Sequence, residues 1–570
     1  MRWRSLPVPN AGITQALTAQ VTKDPLLSHL LASRGVKDYS GAKEFFRPTI
    51  AHLHDPYRMK DMDVAVERIE KARIAQEHVM VYGDYDVDGT TSVALVSEFL
   101  DGKFPIEAYI PDRYKEGYGL SFDGINTAAE LGITLIIALD CGIKAFDQIN
   151  HANTLGIDII VCDHHRPGDE LPKAKAILNP KRLDCLYPYK ELSGCGVGFK
   201  LCQGLCDRWG LPLENHLYPL LDLCAISIAA DIVQISGENR IMASHGMQLL
   251  VTGACRPGLL ALIESAGKTP ETLSFRDLSF TLGPRINAAG RMESGLRAVE
   301  LLRSKEKEEQ QELAAAIHVF NTDRRAAQGE IFEQAKEQLD TELYPYSNVL
   351  YEPHWHKGVV GIVASKIVEH HYRPTIILTK SGDQLAGSAR SVTDFDLYEA
   401  LSACEQHLIQ FGGHKYAAGM TMHESQLPQF KKAFENYCKA HLKPEQLVPE
   451  ILYDAQAHIS QFNDRFHKIM VQLEPHGPEN PTPVFLLKDL IDAGKTKAVG
   501  SDSSHLKLHI KHASGGPSIS GIAFGQGHLA NDFAEGKSFD ALVSLTLNYY
   551  RGTTSLEVMA VDIRPQQELL

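Results

Sequence analysis

Four clusters of acidic or imidazole side chains close apolar runs in the first half of this 570-residue chain. The richest reads Gly83-Asp84-Tyr85-Asp86-Val87-Asp88-Gly89. The others are Asp140 in Ala138-Leu139-Asp140-Cys141-Gly142, the triplet Asp163-His164-His165, and Asp231 in Ala229-Ala230-Asp231-Ile232-Val233. So many like charges repel strongly if they converge in a dry cleft, unless divalent cations lie between them. The residue types therefore point to a hydrolase that works with two metal ions.

In the first cluster Asp84, Asp86 and Asp88 stand at i, i+2 and i+4, so a strand-like exit would put them on one face. Asp-x-Asp-x-Asp-Gly also fits the first six positions of an EF-hand loop. Leu95 stands where the twelfth-position Glu belongs, however, and the preceding segment reads as a strand. Asp163-His164-His165 mixes a carboxylate with imidazoles, which suits Mn²⁺ or Mg²⁺ better than a calcium cage. Two adjacent histidines cannot point the same way if the strand continues, so one reads as a ligand and the other as a phosphate or proton handler. Asp231 follows an apolar helical run and alone would be an ordinary helix-end carboxylate. Gly194-Cys195-Gly196-Val197-Gly198 follows no strand and lacks dinucleotide-fingerprint spacing, so it reads as the tight start of a helix packed near the site. The Gly-x-Ser-x-Gly nucleophile motif and the P-loop are absent, which removes covalent serine hydrolysis and NTP hydrolysis.

The elements that must carry these residues are legible in the pattern. His78-Val79-Met80-Val81-Tyr82, Leu135-Ile136-Ile137-Ala138-Leu139 and Ile157-Asp158-Ile159-Ile160-Val161 are short apolar runs separated by helical segments, which predicts a parallel α/β sheet. Ligands of such sheets bind beyond the carboxyl ends of the strands, where Asp84, Asp140 and Asp163 lie. From about Arg303 to Leu339 apolar residues recur at near-helical spacing in a Glu, Gln, Lys and Ala background, which predicts a long connecting helix with Gly329 as its weak point. Arg324 and Arg325 on it could face a channel. A second α/β unit follows, with a strand over Pro374-Thr375-Ile376-Ile377-Leu378 and a glycine-rich loop at Gly412-Gly413-His414. After about Val448 the texture becomes β. Leu506, Leu508 and Ile510 alternate with Lys507, His509 and Lys511, and Val543, Leu545 and Leu547 precede a turn near Arg551-Gly552 and then Leu556, Val558 and Ala560. A helical insert around His528 to Phe533 interrupts the strands, as in an OB-type barrel.

The fold class is thus α/β: two α/β domains joined by a long helix, plus a C-terminal OB-like barrel. The boundaries expected are a helical lead-in at 1–50, a catalytic domain at 51–300, the long helix at 301–340, a substrate-binding domain at 341–447 and the barrel at 448–570. A 44% hydrophobic content supports several cores. The N-terminus lacks the apolar core of a signal peptide and no run approaches a membrane span, so a cytoplasmic protein is expected. The 10 cysteines are scattered without zinc-site spacing and read as reduced, buried thiols. A net charge of −14 argues against coating nucleic acid by charge alone, but it allows a basic channel in an acidic body.

These motifs resemble the DHH phosphoesterase superfamily, whose triplet is seen here as Asp163-His164-His165. The order Asp84-Tyr85-Asp86, Asp140, Asp163-His164-His165, Asp231 follows its four motifs. Gly412-Gly413-His414 with Ala417-Ala418-Gly419 is similar to its DHHA1 domain. Ile110-Pro111-Asp112-Arg113 with Glu116-Gly117-Tyr118-Gly119-Leu120, Gly283-Pro284-Arg285-Ile286-Asn287-Ala288-Ala289-Gly290-Arg291 and the stretch from His356 to Ser365 resemble the RecJ branch. The resemblance implies a single-strand-specific DNA exonuclease of DNA repair and recombination. Such enzymes release mononucleotides from the 5' end with Mn²⁺ or Mg²⁺.

Carried onto this chain, the resemblance makes Asp84, Asp86, Asp140, His164 and Asp231 the ligands of two ions, with Asp140 bridging. Asp88, Asp163 and His165 would orient ligands or contact the scissile phosphate. Backbone N–H groups of Gly412 and Gly413, with His414, would grip the strand. Arg113, Arg285, Arg291 and Arg390 are candidates for reading the 5'-phosphate. Lys507, Lys511, Phe524, Tyr549 and Tyr550 could extend the track by charge and stacking. A helicase and a single-strand-binding protein are the expected partners of a monomer. The competing readings are an oligoribonuclease, cyclic dinucleotide phosphodiesterase or pyrophosphatase of the superfamily, and a non-catalytic replication scaffold. The terminal barrel speaks against the first group and the complete carboxylate set against the scaffold.

Overall fold

The computed structural model describes residues 1–534, 537–550 and 553–566. The chain divides into two compact units, one of residues 1–2, 56–231 and 249–449, the other of residues 3–55, 232–248 and 450–570. Among the described residues no helix is long and apolar enough to cross a membrane.

The first unit is built on a five-stranded parallel sheet of β1 (Val79–Gly83), β2 (Ile106–Tyr109), β3 (Leu135–Leu139), β4 (Asp158–Cys162) and β5 (Ala176–Leu178), in the order β2-β1-β3-β4-β5. Every residue of β1 and β3 is buried, because helices cover both faces and leave no side that could take polar residues. The chain leaves β1 toward β2 on one side and reaches β3 on the other, so the sheet reverses direction beside β1. Asp84 lies at that crevice. Helix α1 (Val87–Leu100) follows β1 directly, and of its 14 residues only Glu98 is not buried. It packs against α2 (Gly194–Trp209) and α3 (Leu221–Ala230).

Helix α4 (Gly283–Met292) and the 31-residue α5 (Lys307–Glu337) carry the chain onward. At 1.5 Å per residue α5 is about 46 Å long. It begins later than the pattern predicted, because a separate helix, Leu296–Arg303, takes the preceding residues. Gly329 does not break it, and nothing lies within 4 Å of where its side chain would be. Its later turns bury Ile331 and Ala335 against Trp355, Val363 and Ile367 of the second domain. That domain holds a mixed sheet of β6 (Asn348–Tyr351), β7 (Thr375–Ser381), β8 (Gln384–Arg390), β9 (Gln410–His414) and β10 (Ala417–Met422), in the order β9-β10-β8-β7-β6.

The second unit is an OB-like barrel with an N-terminal helical cap. Strands Phe485–Asp492, Phe539–Tyr550, Thr553–Pro565, Ser518–Ala523 and His505–His512 pair in sequence, and Phe485–Asp492 pairs again with His505–His512 to close the ring. The expected alternation holds: Leu506, Leu508 and Ile510 are buried while Lys507, His509 and Lys511 are half-exposed. The helical insert is a turn at Gly527–Leu529 and a helix at Ala530–Ala534. The turn expected at Arg551-Gly552 and the side chains of Tyr549 and Tyr550 lie outside the described residues. Residues 3–55 are more than a helical lead-in. A strand at Arg2–Ser5 pairs with Glu450–Tyr453, and Leu17, Leu27, Leu30 and Leu31 share the barrel's core with Phe485 and Val543.

Phe485 is 1% exposed and meets the rings of Phe462 and Phe466. Phe485→Ala is expected to cost this unit about 3–5 kcal/mol. A chemical denaturation series followed by tryptophan fluorescence and far-UV dichroism checks this, and an unchanged midpoint would contradict it.

Candidate active site

Asp84 is the first residue beyond β1, but the chain does not leave as a strand. It turns at once into α1, so the expected i, i+2, i+4 face is replaced by a strand-to-helix corner. Asp86 caps the helix, its Oδ1 accepting from Gly89 N at 3.1 Å, and Asp88 sits in the first turn. Gly89 is required there, because a Cβ would come within 2.3 Å of the Asp84 carbonyl oxygen. The Asp88 carboxylate accepts from Gly194 N at 2.6 Å, Cys195 N at 2.8 Å and Ser227 Oγ at 2.7 Å. It is thus an anion bound at the N-terminus of α2. The glycine-rich stretch is the tight helix start that its pattern predicted. A Cβ on Gly194 would lie 2.6 Å from Asp140 Cβ.

Asp140 is the first residue beyond β3 and has φ +59°, in the left-handed region. Its Oδ1 lies 3.2 Å from His164 Nε2, and Asp231, at the end of α3, brings its Oδ2 to 3.5 Å from the same nitrogen. Strand β4 stops at Cys162, so the histidines need not alternate, and their ring centroids lie 4.6 Å apart. Asp163 Oδ1 accepts from His165 N at 2.9 Å and His165 Nδ1 at 2.7 Å, while its Oδ2 accepts from Ile143 N at 2.9 Å. Among the described residues, three groups have potential ligand atoms within 4.8 Å of one another: Asp84, Asp86 and Asp140; Asp140, His164 and His165; Asp88, His164 and Asp231.

Burial, then repulsion from neighbouring carboxylates, pushes the Asp84, Asp140 and Asp231 carboxyls well above the usual range. Burial pulls His164 down, toward the neutral imidazole that binds metals. Asp163 behaves oppositely. Burial works to raise it, but its bonds to His165 prevail and hold it down at about 2. Asp84 Oδ2, Asp140 Oδ1 and both His164 ring nitrogens are buried without a hydrogen-bond partner. Buried groups of this kind are paired or bind metal, and this oxygen and imidazole set fits Mn²⁺ or Mg²⁺.

Three of the four candidate arginines converge beside this cluster. Arg113 lies 4.4 Å above the Tyr85 ring. Arg291 donates to the Gly358 carbonyl at 2.6 Å, and Arg390 donates to Ser388 Oγ at 3.0 Å. With Tyr85 and Ser388 they line a cavity of about 320 Å³ that has no carboxylate on its walls. Burial and the neighbouring Arg113 pull Arg291 down to about 9 and lower Arg390 too. Arg285 does not line this cavity. It donates to the Thr281 carbonyl at 2.7 Å, and burial and Arg325 lower it. Arg324 of α5 is similarly lowered by burial, Arg325 and Arg285.

Gly412, Gly413 and His414 form no loop. They are exposed residues of the edge strand β9, paired with β10, because the hairpin turns only after His414. Lys507 places its ammonium 3.1 Å from Glu557, while Phe524 is 58% exposed. All ten cysteines are free and buried. Sequence reasoning missed Asn179, which is fully buried just beyond β5 and donates to the His165 carbonyl at 2.9 Å. Its strand-end position was the signal that could have found it. It also gave no role to Tyr118, whose hydroxyl lies 3.1 Å from His165 Nε2.

Residues 78–228 match the DHH family N-terminal domain, 345–440 the DHHA1 domain and 453–562 the RecJ OB domain. The chain is 35% identical over 566 residues to the single-stranded-DNA-specific exonuclease RecJ of Bacillus subtilis, covering 99% of this chain and 70% of that one. The chain belongs to the RecJ family. The Salmonella typhimurium RecJ is 34% identical over 96% of this chain and 97% of its own. The fold agrees with that of the Thermus thermophilus RecJ in complex with Mn²⁺, at a TM-score of 0.85 and 28% identity over 100% of this chain and 80% of that one. The RecJ complex with Mg²⁺ from the same organism gives 0.78 and 27% over 99% and 79%.

Raised carboxyl pKa values mean that the metal-free folded chain holds protons that the unfolded chain releases above about pH 4, so stability falls as pH rises beyond that. Cations between the carboxylates reverse the penalty and compete with those protons. The gain in melting temperature from saturating Mn²⁺ is therefore expected to be larger at pH 8 than at pH 6. Differential scanning calorimetry checks it, and a gain independent of pH would contradict it.

Proposed function

We propose that this chain degrades single-stranded DNA from the 5' end, releasing 5'-mononucleotides at the acidic and imidazole cluster. The activity class follows from the family: a metal-dependent, single-stranded-DNA-specific exonuclease. The site assignment rests chiefly on one observation, the buried unpartnered atoms of Asp84, Asp140 and His164 within overlapping groups of possible metal ligands.

Asp84, Asp86, Asp140, His164 and Asp231 would hold two ions, Mn²⁺ or Mg²⁺, with Asp140 shared between them. Bound there, such ions supply an ionised water at neutral pH and offset charge on the reacting phosphate. Asp88 holds the first turn of α1 against α2, and with it the carboxylates of Asp84 and Asp86. Asp163 holds the His165 ring through Nδ1, and the two would orient ligands or contact the scissile phosphate. The cavity of Arg113, Arg291 and Arg390 suits a terminal 5'-phosphate, because guanidiniums that face no carboxylate can bind phosphate with charge-assisted bonds. Its closeness to the acids through Tyr85 supports cleavage next to the end it reads. Arg285, with Arg324 and Arg325, would carry the strand onward. Gly412, Gly413 and His414 on their exposed edge strand would grip its backbone, and Lys511 and Phe524 of the barrel would extend the contact. A helicase and a single-strand-binding protein would present the substrate to a cytoplasmic monomer.

The reading is tested by release of label from single-stranded and duplex DNA, labelled at the 5' or 3' end, with Mn²⁺, Mg²⁺ or chelator. Early release of the 5' label from the single strand alone, abolished by chelator, is expected; binding without cleavage under every metal would favour the scaffold reading. Asp140→Ala should lower kcat by at least about a thousandfold, roughly 4 kcal/mol, while the circular dichroism spectrum is unchanged. Near-normal turnover of that variant would overturn the site. Arg390→Ala should reduce kcat/KM roughly 10- to 100-fold on 5'-phosphorylated strands, the worth of one charged hydrogen bond, and far less on 5'-hydroxyl strands. Equal losses on both would reject end recognition.

A further inference from the structure

The stretch Glu116-Gly117-Tyr118-Gly119-Leu120 has no part in the chemistry above, yet it crosses the acidic centre. Its start is pinned by the Glu116 carboxylate, which accepts from the Tyr109 hydroxyl at 2.9 Å, Asp112 N at 2.7 Å and Ser121 Oγ at 2.5 Å. Its end is pinned at Gly119, whose N–H donates to Asp84 Oδ1 at 3.3 Å and whose carbonyl accepts from the Tyr82 hydroxyl at 2.8 Å. Gly117 and Gly119 have φ +88° and +79°, so the backbone makes a turn that L side chains would resist. Tyr118 projects from that turn and is 53% exposed.

The Tyr118 hydroxyl lies 3.1 Å from His165 Nε2, while His165 Nδ1 is 2.7 Å from Asp163. A phenol can both donate and accept, and the Tyr118 O–H also reaches the Asp140 carbonyl at 3.4 Å, so the hydroxyl can bridge that carbonyl and Nε2. The imidazole is therefore held at both nitrogens. The Tyr118 ring also meets Tyr85 edge-on at 6.0 Å between centroids, and Tyr85 is the platform under Arg113. One side chain thus touches the imidazole of the centre and the floor of the arginine cavity.

We propose that Tyr118 is a positioning residue with two separable parts. Its hydroxyl fixes the His165 ring in place at the acidic centre, and its ring supports Tyr85 and so the setting of Arg113. The inference rests on the reading of His165 and of the arginine cavity given above. A tyrosine that merely filled space would lose almost nothing on conversion to phenylalanine, because every ring contact survives.

The test is steady-state kinetics of the full chain with saturating Mn²⁺ on 5'-phosphorylated and 5'-hydroxyl single strands. For Tyr118→Phe the expected result is a fall in kcat of about tenfold, with KM within about twofold and the preference for a 5'-phosphate unchanged. For Tyr118→Leu the same fall in kcat is expected, together with a severalfold loss of that preference. Wild-type kcat in Tyr118→Phe, or a rise in KM alone, would overturn the proposal. Phenylalanine preserves the packing, so this variant decides the hydroxyl's role even if the leucine variant does not fold. His165→Ala separates the two levels. If it keeps wild-type turnover, the reading of the centre fails and the proposal with it; if it is inactive while Tyr118→Phe is normal, only the proposal fails.

Discussion

The Asp88 carboxylate, bound by backbone N–H groups at the start of α2 and by Ser227 of α3, is the contact on which the acidic centre depends. It ties three helices that meet behind the ends of the strands. An anion at a helix N-terminus is favoured by the orphan N–H groups and by the helix dipole, and burial strengthens both effects. With that corner fixed, Asp84 and Asp86 cannot move away from Asp140 to relieve their repulsion. The close approach leaves no room for a Cβ at Gly89 or Gly194. The backbone geometry stores the repulsion that cations would relieve.

Two opposite electrostatic environments lie side by side. Acids pushed up by burial and mutual repulsion adjoin a cavity whose arginines are pulled down by burial and by one another. Each is unfavourable alone, and in the proposed reading each would meet one part of a terminal nucleotide's phosphates once cations join the acids. Tyr85 stands between them, flanked in sequence by Asp84 and Asp86 and covered by Arg113.

Much of this was legible in the chain. Strands apolar on both faces require cover on both sides and so a parallel sheet, whose carboxyl ends collect Asp84, Asp140 and Asp163. The period of the apolar residues encoded the long helix and the alternating barrel strands, because those elements are set by local hydrophobic spacing. The order of the acidic motifs carried the family, and with it the class of reaction.

Other features depend on contacts between residues far apart in the chain, which no local period records. The corner at Asp86 replaced a strand-like exit because α2 supplies donors for Asp88 from 106 residues away. Arg113, Arg291 and Arg390 converge while Arg285 turns to the Thr281 carbonyl, although all four looked alike as cations in motifs. Gly412 and Gly413 became an edge strand once β10 offered a partner. Tyr118 met His165 because two glycines at positive φ turned it over the centre. Residue type and spacing carry the chemistry that is possible; packing selects which of the candidate groups share one cleft.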